Sequence, residues 1–410
     1  MLVLGGGFSG IGAAQKLKKS DVDVVLVDKN DYHTFQPLLY QVATGLLEQS
    51  AVGHPVRDLF HDQDNARLHV DRVTGIDLDD RQVHFAELQP IAYDYLVLGL
   101  GAEVNYFGVE GAAEHAFPLY TLSDAVRLKN QVLRMWEAAD KSPDLIDDGA
   151  LNIVVVGGGP TGVETAGALA ELYNGLFRKD YPDVEEDASR IVLVEASPEI
   201  FSMFKPDLRT YAVDALTTRG VEVMTGDVVE SISPLRVKLK SGTELKAHTL
   251  VWGAGLQGNA LVQSLGLELE RGNRIAVDGN LRIPSHPEVF AIGDIAAITD
   301  SKTEQVLPQL GSVALQSGEH AGETIAQLVK GKEPKPFKYR DKGTMATIGR
   351  GSAVVQMLGG KTMKGRKAQL AWGTVHLALL PTNEDRAKAV VDWAGAGLTH
   401  ERSARISVET

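Results

Sequence analysis

The main apolar stretches of this chain are short and unbroken. Ile153-Val154-Val155-Val156 and Ile191-Val192-Leu193-Val194 carry no polar residue, the pattern of parallel strands buried on both faces. Leu2-Val3-Leu4 and Val24-Val25-Leu26-Val27 repeat that pattern at the start. A helix is expected from Val163 to about Leu172, between the first two runs. Elsewhere the pattern alternates. Leu68-His69-Val70, Gln82-Val83-His84-Phe85 and Tyr95-Leu96-Val97-Leu98 predict a small antiparallel sheet over 65–98. Val237 and Leu239 alternate with lysines before a Ser241-Gly242 turn, with Leu245 on the return strand, so 227–247 reads as a hairpin. Residues 121–139 read as a helix starting at Thr121–Asp124, with Val132, Leu133 and Trp136 on one side. Lys141 to Gly149 reads as a linker. In the tail, Trp372, Val375, His376 and Leu379 share one helical face, which Pro381 ends. Ala387, Val390, Val391, Ala394 and Leu398 mark a second.

Glycines turn two of these strand pairs into chemistry. The run ending at Val156 enters Gly157-Gly158-Gly159-Pro160-Thr161-Gly162. Gly157 permits a tight turn, Gly159 lets a pyrophosphate approach the backbone, and Gly162 lets helix and strand pack closely. Pro160 falls near the helix start, where a missing N–H costs little. The partner strand ends in Glu195, whose carboxylate suits a ribose 2′-hydroxyl and repels a 2′-phosphate, favouring NADH over NADPH. The same device opens the chain, with Gly5, Gly7 and Gly10 after the first strand and Asp28, followed by Lys29, ending the second. One such pattern is weak; two, each with strand, glycines, helix, strand and acid, predict two bound dinucleotides. The fold class follows: α/β, with two Rossmann-like domains.

At 410 residues the chain is long enough for two or three domains with full cores. A net charge of −13 argues against nucleic acid as a partner. There is no cysteine, which excludes disulfides, thiolate metal sites and a redox dithiol beside a flavin. No metal-ligand cluster is visible, so no metal is expected. No apolar run of spanning length and no leader is seen, so cytosolic exposure is the default. Only four residues precede Gly5, which leaves a short first strand, as if a natural start had been trimmed.

Two dinucleotide folds in series suggest a flavoprotein reductase, and the stretch from Asn30 to Gly45 narrows that class. Asn30-Asp31-Tyr32-His33-Thr34-Phe35-Gln36-Pro37-Leu38-Leu39-Tyr40-Gln41-Val42-Ala43-Thr44 resembles the corresponding segment of type II NADH dehydrogenases, single-subunit FAD enzymes that reduce membrane quinones, with Asp31 inserted. The resemblance implies FAD and NADH as cofactors and a quinone, menaquinone or ubiquinone, as acceptor. It places Gln36, Gln41 and Thr44 toward the flavin. It matches Gly99-Leu100-Gly101-Ala102 to a turn beside FAD, Gly293-Asp294 to the ribityl-binding motif, and Gly253-Ala254-Gly255 to a turn near the NADH. Asp294 could equally cap a helix from Ile295. Glu164 matches a glutamate beside nicotinamide and flavin; a helix start favours its ionised form and burial opposes it. Near the quinone the family carries two glutamines, of which this chain keeps Gln316; the first position is replaced by Gly311-Ser312. Lys364 matches a lysine toward the quinone pocket.

The implied domains are 1–112 and 256–335 for FAD, 113–255 for NAD(H), and 336–410 as a C-terminal region. From Gly359 onward the charge is +3 against −16 for the rest. An amphipathic, mildly basic helix pair suits a membrane surface at the cytoplasmic face or a homodimer interface alike. The polar tail and the missing glutamine leave a second reading open: a soluble NADH-dependent flavin reductase for a small aromatic or quinoid metabolite or an electron-carrier protein. A flavin-holding sensor with negligible turnover is the third.

Overall fold

The computed structural model describes residues 1–185, 187–399, 402 and 404–407. It opens with β1 (Leu2–Leu4), α1 (Phe8–Lys16), β2 (Val24–Asp28) and a short α2 (Leu39–Ala43). Then come β3 (Ala66–Val70), β4 (Leu96–Leu98), β5 (Ala102–Val104) and the long α3 (Leu122–Lys141). The middle holds β6 (Ile153–Val156), α4 (Pro160–Glu171), β7 (Ile191–Glu195), β8 (Val221–Thr225) and β9 (Thr249–Trp252). After β10 (Leu256–Gly258), β11 (His286–Ala291) and α5 (Gly311–Val329) the chain ends in β12 (Thr344–Thr347), β13 (Ala353–Gln356), β14 (Thr362–Lys364), α6 (Arg366–Leu379) and α7 (Asn383–Thr399).

Two compact units result. The first combines residues 1–34, 53–104 and 256–341; the second combines 35–52, 105–255 and 342–410. The first unit's sheet runs in the order β11-β4-β1-β2-β3, parallel throughout, with Arg282–Ile283 antiparallel at one edge. β1 and β4 are wholly buried, which is why they read as unbroken apolar runs. The antiparallel sheet expected over 65–98 is therefore corrected. Only its middle run forms one, with 82–85 between 73–77 and 91–92. Leu96-Val97-Leu98 has no polar face to offer solvent and goes to the sheet centre, whereas the more polar β3 takes the edge. α1 and α5 cross so closely that a Cβ on Gly318 would lie 1.9 Å from the Ser9 carbonyl.

The second unit's sheet runs Phe117–Pro118, β9, β6, β7, β8, again parallel throughout. α3 starts with a capping box: Asp124 N–H donates to Thr121 Oγ1 (3.1 Å) and Thr121 N–H to Asp124 Oδ2 (2.8 Å). Instead of a plain linker after α3, Pro143 opens one helical turn, Asp144–Asp147. β12, β13 and β14 form an antiparallel sheet on which Ala368 of α6 is buried.

The tail helices turn differently from their apolar stripes. Trp372 is buried and His376 stacks on it at 4.2 Å, while Leu370, Val375 and Leu379 are exposed. On α7 the stripe Ala387, Val390, Val391 and Ala394 faces out, and Asp385 and Ala389 face in; the Leu398 side chain lies outside the described residues. Polar bonds set this rotation. Thr382 Oγ1 donates to Asp385 Oδ2 (2.7 Å), and Trp393 Nε1 donates to Gln41 Oε1 (2.7 Å). No helix among the described residues is long and apolar enough to cross a membrane.

Candidate functional site

The two glycine turns are built alike, bond for bond. Gly5 N–H donates to Val27 O and Gly157 N–H to Val194 O, each at 2.8 Å. Gly99 N–H donates to Leu4 O and Gly253 N–H to Val156 O, also each at 2.8 Å. Asp28 Oδ2 accepts the Gly6 amide (2.6 Å) and Oδ1 that of Asn30 (2.7 Å). Glu195 Oε2 accepts the Gly158 amide (2.5 Å) and Oε1 that of Ser197 (2.7 Å). Every carboxylate oxygen keeps a lone pair for a ribose hydroxyl. Burial pushes the Asp28 carboxyl up from its ordinary value, against the pull of the Gly6 and Asn30 amides and the Lys29 charge.

The first glycine of each turn has a left-handed backbone, φ +106° at Gly5 and +110° at Gly157. A Cβ on the third, Gly10 or Gly162, would lie 1.8 Å from the first one's carbonyl oxygen. A Cβ on the middle glycine, Gly7 or Gly159, meets nothing within 4 Å. That open space lies at the starts of α1 and α4, neither of which has a side-chain cap. Uncapped helix amides and their dipole suit a phosphate there, so the residues present fit the pyrophosphate of a dinucleotide.

In the first unit Gly293 (φ +67°) donates to Ser317 Oγ at 3.0 Å, and a Cβ on it would lie 2.8 Å from Ser9 Oγ of α1. This contact brings the half-buried Asp294 to the N-terminal end of α1, beside the first cradle. Asp294 does not cap a helix: a single tight turn is followed by the Ala296–Ala297 strand, which pairs with Ile275–Ala276. Ala102 is buried at the start of β5, opposite Gly258. Lys29 is exposed at the end of β2. Gln316 also lies in this unit, its amide bonded on both sides to the Arg340 backbone at 3.0 and 3.1 Å.

Gln36, Thr44, Glu164, Gly255 and Lys364 belong to the second unit. Gln36 Nε2 donates to Tyr120 O (3.3 Å), and the buried Thr44 hydroxyl donates to Tyr40 O (3.0 Å). Gln41 Nε2 donates to the buried Tyr40 hydroxyl (2.7 Å). Gly255 (φ +72°) accepts the Asn105 amide (3.2 Å). The Lys364 ammonium lies 5.6 Å from the Tyr211 ring centre. Glu164 is 8 % exposed, and its Oε1 accepts the Thr347 amide at 3.0 Å. Burial outweighs that bond and pushes the carboxyl up to about 8. At neutral pH Glu164 therefore holds a proton. Thr347 sits 183 residues away, and no motif announced it.

Comparison with known proteins agrees with this geometry. Residues 1–318 match the model of the family "Pyridine nucleotide-disulphide oxidoreductase". The chain is 34% identical to the type II NADH:quinone oxidoreductase Ndh of Mycobacterium tuberculosis, over 98% of this chain and 89% of that protein. It is 32% identical to the internal alternative NAD(P)H-ubiquinone oxidoreductase A1, mitochondrial, of Arabidopsis thaliana, over 96% of this chain and 83% of that one. Among solved structures, NDH2 from Plasmodium falciparum in complex with NADH superimposes with a TM-score of 0.90 at 19% identity, covering 100% of this chain and 99% of that one.

Proposed function

This chain belongs to the pyridine nucleotide-disulphide oxidoreductase family and, within it, to the type II NADH:quinone oxidoreductases, and we propose how its residues divide the work. The chemistry a bound FAD would supply is two-electron transfer from NADH to a quinone. The observation that carries this layout is the pair of matching phosphate cradles, each with an acid pinned to a glycine amide. The first cradle, with Gly5, Gly7, Gly10, Asp28, Lys29, Ala102, Gly293 and Asp294, takes FAD. The second, with Gly157, Gly159, Gly162, Glu195 and Gly255, takes NADH, and Glu195 rejects a 2′-phosphate.

Gln36 and Thr44 are assigned toward the flavin by the family's motif. Glu164 stands at the reacting end, where burial raises its carboxyl to about 8 and so favours the protonated form near neutrality. Gln316, which fixes the Arg340 backbone, and Lys364, an exposed cation, are assigned to the acceptor by their places in the family's motifs. The exposed Leu370, Val375, Leu379, Val390 and Val391, with Arg366, Lys367 and Lys388 on the same helices, rest on an anionic lipid surface at the cytoplasmic face.

Anaerobic titration tests the reading. NADH should bleach the yellow of the purified protein, and menaquinone or ubiquinone should restore it. Protein that takes up no FAD, or whose colour survives NADH, overturns it. Sedimentation with anionic phospholipid vesicles, but not with zwitterionic ones, tests the tail; recovery wholly in the supernatant removes the lipid role.

A further inference from the structure

One aromatic residue stands in a backbone conformation that its side chain disfavours. Phe107 has φ +51° and its side chain is 64 % exposed. A bulky residue in the left-handed region is held there by its neighbours, and such positions cluster at ligand sites. The holding bonds are visible. Phe107 N–H donates to Asn105 Oδ1 (2.8 Å), Asn105 N–H to Gly255 O (3.2 Å), and Trp252 Nε1 to Asn105 O (3.1 Å). The Tyr106 ring lies 5.5 Å from that of Trp252.

The effect is to lay the Phe107 ring against Gly255: a Cβ on that glycine would lie 2.4 Å from two of its ring carbons. Its remaining surface is open. The ring therefore lines the turn that ends β9. This turn forms one wall of the second cradle, since a Cβ on Gly157 would lie 2.9 Å from the Gly253 carbonyl carbon. A dinucleotide crossing the carboxyl edge of the sheet puts its adenosine ribose at the acid on β7. Its other half then extends the opposite way, toward β9.

We propose that Phe107 is the aromatic wall of the nicotinamide half of the NADH site, its open face stacking on the nicotinamide ring. This rests on the reading that the second cradle takes NADH. An aromatic face suits a planar ring, and sequence-tolerant stacking of this kind is worth roughly tenfold in affinity or more.

The test uses Phe107→Gly, which removes the ring and relaxes the backbone, and Phe107→Tyr, which keeps the ring. The readouts are the NADH concentration giving half-maximal flavin bleaching and the competition by ADP-ribose, which lacks nicotinamide. We expect Phe107→Gly to raise the NADH requirement about tenfold. It should leave ADP-ribose competition unchanged, and Phe107→Tyr should restore NADH. An unchanged NADH requirement overturns the proposal, as does equal weakening of NADH and ADP-ribose, or loss of FAD instead. Failure of ADP-ribose to compete in the unaltered protein topples the cradle assignment, and this proposal with it.

Discussion

The two cradles share the backbone bonds of their glycine turns and the acid each one pins, and their sharpest chemical difference comes two residues after the third glycine. There the first has Gly12 and the second Glu164. Gly12 serves packing: a Cβ on it would meet the Leu315 carbonyl of α5 at 3.0 Å. Glu164 serves chemistry in the reading above, buried beneath the Thr347 amide. A smaller divergence lies at the rim. The Gly6 carbonyl faces the buried His33 ring (Nδ1, 3.1 Å), whereas the Gly158 carbonyl accepts the backbone amide of Phe201 (2.7 Å). The shared parts bind what is common to both cofactors. On the proposed function, the change from Gly12 to Glu164 separates a helix start that only holds from one that also moves a proton.

The bluntest way to break the comparison is to fill the space both copies forbid. Gly10→Ala and Gly162→Ala each drive a Cβ into a carbonyl oxygen, and overpacking of this kind costs about 1–3 kcal/mol, roughly five- to 150-fold in binding. Gly10→Ala should yield protein that loses its yellow. Gly162→Ala should stay yellow and bleach with NADH roughly a hundredfold more slowly in stopped flow. Identical phenotypes would mean the cradles do not hold different cofactors.

The divergent position gives a pH-dependent effect. The Glu164 carboxyl is raised to about 8 in the fold. Its contribution to stability is thus full below the ordinary carboxylate range and is lost as pH climbs through that value. Glu164→Gln keeps the acceptor for Thr347 and removes the charge. Its melting curve should match the unaltered protein at pH 3.5 and show an advantage on the order of a few kcal/mol by pH 9. Its rate of flavin reduction should lose any titration near pH 8. Two proteins with the same pH dependence would strip Glu164 of its role.

The acid at the strand end gives the smallest effect. Glu195→Gln should weaken NADH about tenfold, the worth of one charged hydrogen bond, and narrow the preference over NADPH. Steady-state rates with both nucleotides measure it. An unaltered ratio would place the adenosine ribose elsewhere.

Much of this was legible because it is local. A glycine turn, its flanking strand and its helix start lie within a dozen residues, so their spacing fixes their geometry. The misreadings share one cause. Ala66–Val70 and Leu96–Leu98 lie close together in sequence, yet sheet partners are chosen by which faces must be buried. The outward turn of α7 was hidden because Trp393 and Asp385 outweigh the apolar stripe through bonds to Gln41 and Thr382.

The chain by itself determined that two nucleotide-binding turns exist, that each has a partner strand ending in an acid, and that it carries no cysteine thiol, since these follow from residue identity and short spacing. Only the tertiary structure decided that residues 35–52 join the second unit. It alone put Glu164 under a distant amide in a water-poor setting, and it alone held Phe107 in a disfavoured conformation against Gly255. Burial and strain are properties of what surrounds a residue, and a linear order of side chains does not contain its surroundings.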